Sequence, residues 1–316
     1  MRRFIIQIFL VLAVPLIVVY VVSQLPTTDY LRFVSKITPD KEIVVLGTSH
    51  GFDFTSVSPQ MAFLNFAKAG NTPYYDLQNF RWLHGQGIHK KEAIIIIPVS
   101  YFSFGIDENR TNNASSDGFV NDFYFYLNRD QVYDYSLRKE VSLRVFAFQE
   151  VLEKYTGLQK DFGGRFIVDP PNNYINPEHL THEEHLKQDA KIRLENHLDG
   201  ANYAPETPNY NYYSTLLNEA KSLGYRPVLA TVPYSTFYQT GFDSLWLDTT
   251  YFQKLYQLSR EQHVPYLNYS TYAPIATRPE LYRDSDHLNS EGIEKFSTIF
   301  FEDLAEYYDL TGILEN

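Results

Sequence analysis

The stretch Glu42–His50, EIVVLGTSH, constrains this chain more than any other. Ile43-Val44-Val45-Leu46 is a β-branched apolar run that stops at Gly47, too short for a core helix and bounded as a buried strand is. Gly47 permits a sharp turn, which lifts Thr48, Ser49 and His50 to the end of that strand. Further apolar runs follow at Ala62–Ala67 and Ala93–Ile97, and between them Pro73 opens a helical pattern over Tyr74–His84. Ala93–Ile97 is aliphatic without a break, as a strand buried on both faces requires. Strand, loop, strand, helix, strand in this order predicts an α/β fold with a doubly wound parallel sheet. Ligands bind such a sheet at the carboxyl ends of its strands, where Ser49 would stand. The plainer alternative is a serine that only caps the next helix.

The alternation resumes late in the chain. A helix is predicted over Asn211–Leu223, a strand over Pro227–Val232, a helix over Asp243–Gln262 and a short strand over Pro265–Asn268. The last helix, Ser290–Tyr308, carries Ile293, Phe296, Phe300, Leu304 and Tyr307 on one stripe. Between the two halves, residues 103–208 lose the pattern and read as an insertion, with polar loops at Asn109–Asp117 and Asp169–Pro177 and helical pieces at Asp122–Leu127 and Val141–Tyr155. An insertion of this size usually forms a lid or a substrate-facing subdomain.

The amino terminus reads as a membrane anchor. Arg2-Arg3 precedes Phe4–Val22, whose only strongly polar member is Gln7, and this length spans a hydrocarbon core as a helix. The paired arginines favour a cytoplasmic amino terminus, which places the rest outside the cell membrane as a single-pass protein. A cleaved signal peptide is the competing reading, but no Ala-x-Ala site follows. The expected organisation is an anchor over 1–25, a stalk over 26–41 and an α/β domain over 42–310. A net charge of −11 over 316 residues argues against a nucleic-acid partner. The absence of cysteine excludes disulfides and thiolate metal sites.

Just before the last helix lies Asp284-Ser285-Asp286-His287. An Asp three residues ahead of a His can curl its carboxylate onto the imidazole. A serine nucleophile needs a base, and the base needs a partner that fixes its tautomer and stabilises its cation. Ser49, His287 and Asp284 supply those roles, with Asp286 a rival for the carboxylate. His50 is too close to Ser49 along a tight turn to be its base. His179-x-x-His182-Glu183-Glu184-His185 has some metal-ligand spacing but matches neither the HExxH nor the HxxEH arrangement, and a solvated helix face explains it better. No metal or cofactor is therefore expected. The sequon at Asn113 is a chance-level match. Tyr124/Tyr126 and Tyr210/Tyr212/Tyr213 suit packing better than sugar stacking.

Through Gly47-Thr48-Ser49, Gly70 and Asp284-x-x-His287 the chain resembles the SGNH (GDSL-like) hydrolases over about 42–67, 70–100 and 225–308. The resemblance implies a flavodoxin-like, five-stranded parallel sheet and ester hydrolysis or acyl transfer, often on acetylated carbohydrates. It also implies an oxyanion hole from the backbone amides of Ser49 and Gly70, with Ser100 where the family carries an asparagine. His50, Asn71 and Tyr101 are assigned to the substrate pocket. Thr48 stands where the family has Asp, and losing one oxyanion donor costs about 10²–10³ in rate. The anchor and the divergent blocks are similar to SGNH-like proteins that work beside membrane-bound O-acyltransferases, such as the D-alanyl-transfer protein of teichoic acid synthesis. Two functions follow: a membrane-anchored esterase or O-acyltransferase acting on an acylated cell-surface or exported glycan, or a non-catalytic glycan-binding or scaffold partner of such an acyltransferase.

Overall fold

The computed structural model describes residues 28–105, 120–156, 180–201 and 208–310, together with Ala13, Ile17, Val18, Tyr20 and Val21. The chain divides into two compact units, Met1–Ile37 with Ala114–Pro170, and Thr38–Asn113 with Pro171–Asn316.

The second unit is an α/β fold. Five strands, β1 (Lys41–Val45), β2 (Phe63–Asn65), β3 (His89–Pro98), β4 (Arg226–Thr231) and β5 (Tyr266–Asn268), form one sheet in the order β2-β1-β3-β4-β5. Every pairing is parallel. This is the flavodoxin-like order, in which the direction of winding reverses between β1 and β3. The core sits in those two strands: Ile43, Val44 and Val45 and the run Ile94–Ile97 have no exposed surface. Burying each such side chain contributes about 1.5–3 kcal/mol relative to leaving it exposed.

Helix Pro73–Gly85 follows β2, opened by Thr72, whose side chain accepts from Tyr75 N, with Pro73 in the first turn. Helix Asn209–Ser222 leads into β4 and helix Gln253–Gln262 into β5. Two expectations need correction. The helix expected over Asp243–Gln262 is broken into Ser244–Trp246, a wide π turn at Leu247–Phe252, and Gln253–Gln262. The wide turn carries Tyr251, whose buried hydroxyl donates to Val99 O at 2.6 Å. The last helix spans Ser290–Leu304, so Tyr307 falls beyond its end and is 56% exposed. Ser297, one residue on from Phe296 in this helix, is buried and accepts from Thr55 N at 3.0 Å.

The first unit is helical where it is described. Asp29–Val34, within the predicted stalk, is a short helix capped by Thr28, which accepts from Leu31 N at 3.1 Å. The Thr28 hydroxyl in turn donates to Asp122 Oδ1 at 3.0 Å, just ahead of the one-turn helix Phe123–Tyr126. Helix Leu137–Thr156 covers the helical piece expected over Val141–Tyr155. Apart from the five residues named above, the predicted anchor Phe4–Val22 lies outside the described residues. Asn109–Asp117 with its sequon and Asp169–Pro177 lie outside them too. No helix among the described residues is long and apolar enough to cross a membrane.

Candidate active site

The turn that presents Ser49 is built from residues with little freedom. Gly47 has φ +98°, and a Cβ there would lie 3.1 Å from Pro98 Cδ and 3.2 Å from Pro98 O. Its N–H donates to Asp76 Oδ1 at 2.8 Å, and the same oxygen accepts from Asn71 Nδ2 at 2.6 Å, so Asp76 pins the turns after β1 and β2 to each other. Thr48, not Ser49, is the cap of the following 3₁₀ turn Ser49–Asp53, accepting from His50 N at 3.4 Å. At Gly51 a Cβ would meet Ala67 Cβ at 2.3 Å and Leu46 O at 2.7 Å, so only glycine lets the turn lie this close to the sheet. Ser49, with no capping duty, stands half-buried at the carboxyl end of β1.

A second loop meets it. Asp284 Oδ1 accepts from the backbone of Asp286 at 3.3 Å and of His287 at 2.8 Å, which curls the loop over its own carboxylate. Asp53 Oδ1 accepts from Leu288 N at 3.1 Å and so ties this loop to the Ser49 turn. Ser235 Oγ donates to Ser285 O at 2.6 Å from the β4 side. His287 Nδ1 thereby lies 2.9 Å from Asp284 Oδ1, and His287 Nε2 lies 2.8 Å from Ser49 Oγ. Asp286, the rival carboxylate, comes no nearer than 3.3 Å to Nδ1.

Sequence reasoning missed the cation at the centre of this arrangement. Arg193, on helix His182–Ala201, places Nη2 2.9 Å from Asp284, Nη1 2.9 Å from Asp286 and Nε 2.9 Å from Asp189 of its own helix. Asp189 also accepts from Ser285 N at 2.8 Å. The spacing Asp189, Arg193, His197 is i, i+4, i+8 and marks one helix face, a signal that was present within a segment read as insertion. Asp53 was missed as well. Its value lies in a long-range contact that no local pattern announces.

Burial and charge oppose each other throughout the site. Burial disfavours the imidazolium of His287, but Asp286 and Asp284 outweigh it and raise the group to about 10. Burial likewise opposes the charge on Asp286, yet His287, His50 and Arg193 hold its carboxyl well below the usual range. Asp284 is lowered in the same way, burial being overcome by the hydrogen bond to His287 and by the nearby cations. His50, sealed from solvent, is lowered by burial and stays neutral. Asp53 has too little compensation, and burial pushes it up to about 8. Two groups of potential metal ligands lie within 4.8 Å among the described residues, His50–Asp286–His287 and Asp189–Asp284–Asp286. Arg193 threads both, its guanidinium already paired with their carboxylates.

The remaining predicted residues fall as follows. Gly70 (φ +71°) is exposed after β2, and no hydrogen bond among the described residues engages its amide or that of Ser49. Ser100 is corrected: its hydroxyl is fully buried and sits 2.5 Å from His50 Nδ1, so it is not available to an oxyanion at Ser49. Tyr101 is corrected too. It is 1% exposed, with its ring against Tyr234, Phe242 and Tyr251, a packing position without access to substrate. Asn71 is buried on Asp76, and His50 lies behind His287 with the rings stacked at 4.7 Å. Both support the site from beneath rather than line a pocket. His182, Glu183 and Glu184 are exposed on the first turn of their helix.

No family model and no curated protein matches the chain. Among solved structures it is similar to a GDSL-like lipase of Bacteroides thetaiotaomicron, at 11% identity and TM-score 0.42, covering 89% of this chain and 100% of that one. A protein of Bacteroides fragilis assigned as an acylhydrolase shows 10% identity and TM-score 0.42 over 88% and 95%. Superposition at this level leaves the functional reading to the site's own geometry.

Proposed function

We propose that this chain is an SGNH-type serine esterase or O-acyltransferase. The observation that carries this reading is the unbroken line of contacts from Ser49 Oγ through His287 to Asp284, at 2.8 and 2.9 Å, on the carboxyl edge of a parallel sheet. Neutral His287 takes the Ser49 proton as Oγ attacks an acyl carbon, while Asp284 holds the Nδ1–H tautomer. The amides of Ser49 and Gly70 would receive the oxyanion. His287 then returns the proton to the departing alcohol. Water resolves the acyl-enzyme in hydrolysis, and an acceptor hydroxyl does so in transfer.

The raised His287 has a consequence for pH. Its base form is lost below the folded-state value, so only a small fraction is competent at neutral pH, and the rate should climb about tenfold per unit toward about 10. The test is acetate release from acetylated xylan and from p-nitrophenyl acetate by the detergent-solubilised full chain across that range. Release above the enzyme-free rate that rises with pH and falls to the enzyme-free rate in Ser49→Ala supports the enzyme. Release equal to the enzyme-free rate at every pH, or an excess that survives Ser49→Ala, contradicts it.

One observation favours the rival, a non-catalytic partner of a membrane-bound O-acyltransferase: two carboxylates within 3.3 Å of His287 Nδ1 favour its cation, and an imidazolium is a poor base. In that case all hydrolysis is absent while glycan or partner binding survives Ser49→Ala. The acylated glycan as substrate, the acyltransferase as partner and the outward-facing domain on a membrane anchor belong to the same proposal. Arg2-Arg3 ahead of Phe4–Val22 supports the anchor. A cysteine placed at Ser35, on this cysteine-free background, should react with an impermeant maleimide in intact cells, after outer-membrane permeabilisation if there is one. Reaction only after lysis would reverse the orientation.

A further inference from the structure

Beneath Ser49–His287–Asp284 lies a second set of the same three residue types. Ser100 Oγ is 2.5 Å from His50 Nδ1, and His50 Nε2 faces Asp286 Oδ2 at 3.3 Å. All three are sealed: Ser100 and Asp286 have no exposed surface and His50 has 1%. The rings of His50 and His287 stack at 4.7 Å with 23° between their planes, so the two sets run side by side. A neutral His50 can satisfy both neighbours in one tautomer only. Ser100 then donates to Nδ1, and the Nε2 proton lies on the side of the Asp286 carboxylate, 3.3 Å away as a charge contact without a formed hydrogen bond.

We propose that Ser100 and His50 hold Asp286 as a fixed buried charge beside His287, making Asp286 a positioning residue for the base and the second carboxylate that stabilises its cation. The proposal rests on the reading of Ser49 and His287 given above. Three features support it. First, a carboxylate with no exposed surface requires compensating charge, and Asp286, whose oxygens make no formed hydrogen bond, has Arg193 at 2.9 Å, His50 and His287 at 3.3 Å, and His197 at 3.8 Å as ion-pair neighbours. Second, no solvent or substrate reaches Ser100, so the set cannot act as a nucleophile in its own right. Third, Ser100 follows β3 while His50 follows β1, so the chain of contacts fixes the turns on both sides of the sheet's switch point to one carboxylate.

The groups that face His287 are drawn from three elements. They are Asp284 and Asp286 on its own loop, Ser49, His50 and Asp53 on the turn after β1, and Arg193 with His197 on helix His182–Ala201; Arg283 lies 3.4 Å from Asp284. Of these, only Asp284 and Asp286 bring negative charge to Nδ1 within 3.3 Å.

The test is a histidine-ring NMR titration of the ¹⁵N-labelled full chain in detergent, with the His287 signal assigned by its loss in His287→Gln. Asp286→Asn, which keeps shape, should lower the His287 midpoint by at least about one unit, a tenfold weaker hold on the proton. Ser100→Ala and His50→Gln should move it the same way by less. An unmoved midpoint in folded Asp286→Asn overturns the proposal. Movement in Asp286→Asn with none in Ser100→Ala or His50→Gln overturns the part given to that pair. Should Asp286→Asn not fold, Ser100→Ala decides alone: a lowered midpoint supports the proposal and an unmoved one overturns it. The readout needs no catalysis. A shifted midpoint in a chain with no esterase activity would refute the function and leave this arrangement standing, and the reverse outcome would do the opposite.

Discussion

Ser49–His287–Asp284 and Ser100–His50–Asp286 are built from the same three residue types and lie against each other, yet they differ in two physical respects. The first has its serine half-exposed, whereas the second is closed to solvent throughout. In the first, the histidine has two carboxylates at Nδ1 and is raised to about 10; in the second, burial keeps the histidine neutral. The comparison teaches that residue type does not assign a role. Access decides which serine can meet a substrate, and the placement of charge decides which imidazole can carry a proton through a reaction.

The sharpest way to break the comparison is to remove each half of the outer chain. His287→Ala should reduce esterase turnover by about 10⁴. Asp284→Asn should cost less, about 10², because Asp286 remains 3.3 Å from Nδ1 and still favours the cation. Progress curves under matched pH check both. Equal losses in the two variants would mean that Asp286 contributes nothing to the base.

A smaller effect is expected at Asp53, which belongs to neither chain and docks the two loops. Its unfolded form ionises near the ordinary carboxylate value, whereas its folded form keeps the proton to about 8. Between those values the unfolded state binds fewer protons, so this group makes stability fall as pH rises. Asp53→Asn retains an acceptor for Leu288 N and removes the ionisation. Its melting temperature should therefore gain on the wild type on going from about pH 5 to about pH 9. A constant difference across that range would show that Asp53 is charged in the fold.

Much of this was legible because it is local. Ile43–Leu46 and Ala93–Ile97 announce buried parallel strands by composition, and Gly47 announces the turn that frees Ser49. Asp284-x-x-His287 encodes its own contact, since the loop closes on itself over the Asp284 carboxylate. What escaped depends on direction or distance. The position of Ser100 at the end of β3 could be read, but not that its hydroxyl turns inward to His50. Tyr101, next to it, reads as a pocket residue because nothing in its sequence neighbourhood discloses the aromatic cluster that encloses it. Arg193 lies in the segment that reads as an insertion, and its partners Asp284 and Asp286 are far away in sequence. Tyr307 kept the helical period after the helix had ended.

The central claim is that Ser49 reacts and Ser100 does not. Exposure of the full chain to a fluorophosphonate at about pH 9, where more His287 is neutral, followed by peptide mapping, reads both serines in one experiment. The adduct is expected on Ser49 alone, abolished in Ser49→Ala and nearly so in His287→Ala. No adduct on either serine, or an adduct that persists in Ser49→Ala or maps to Ser100, would contradict it.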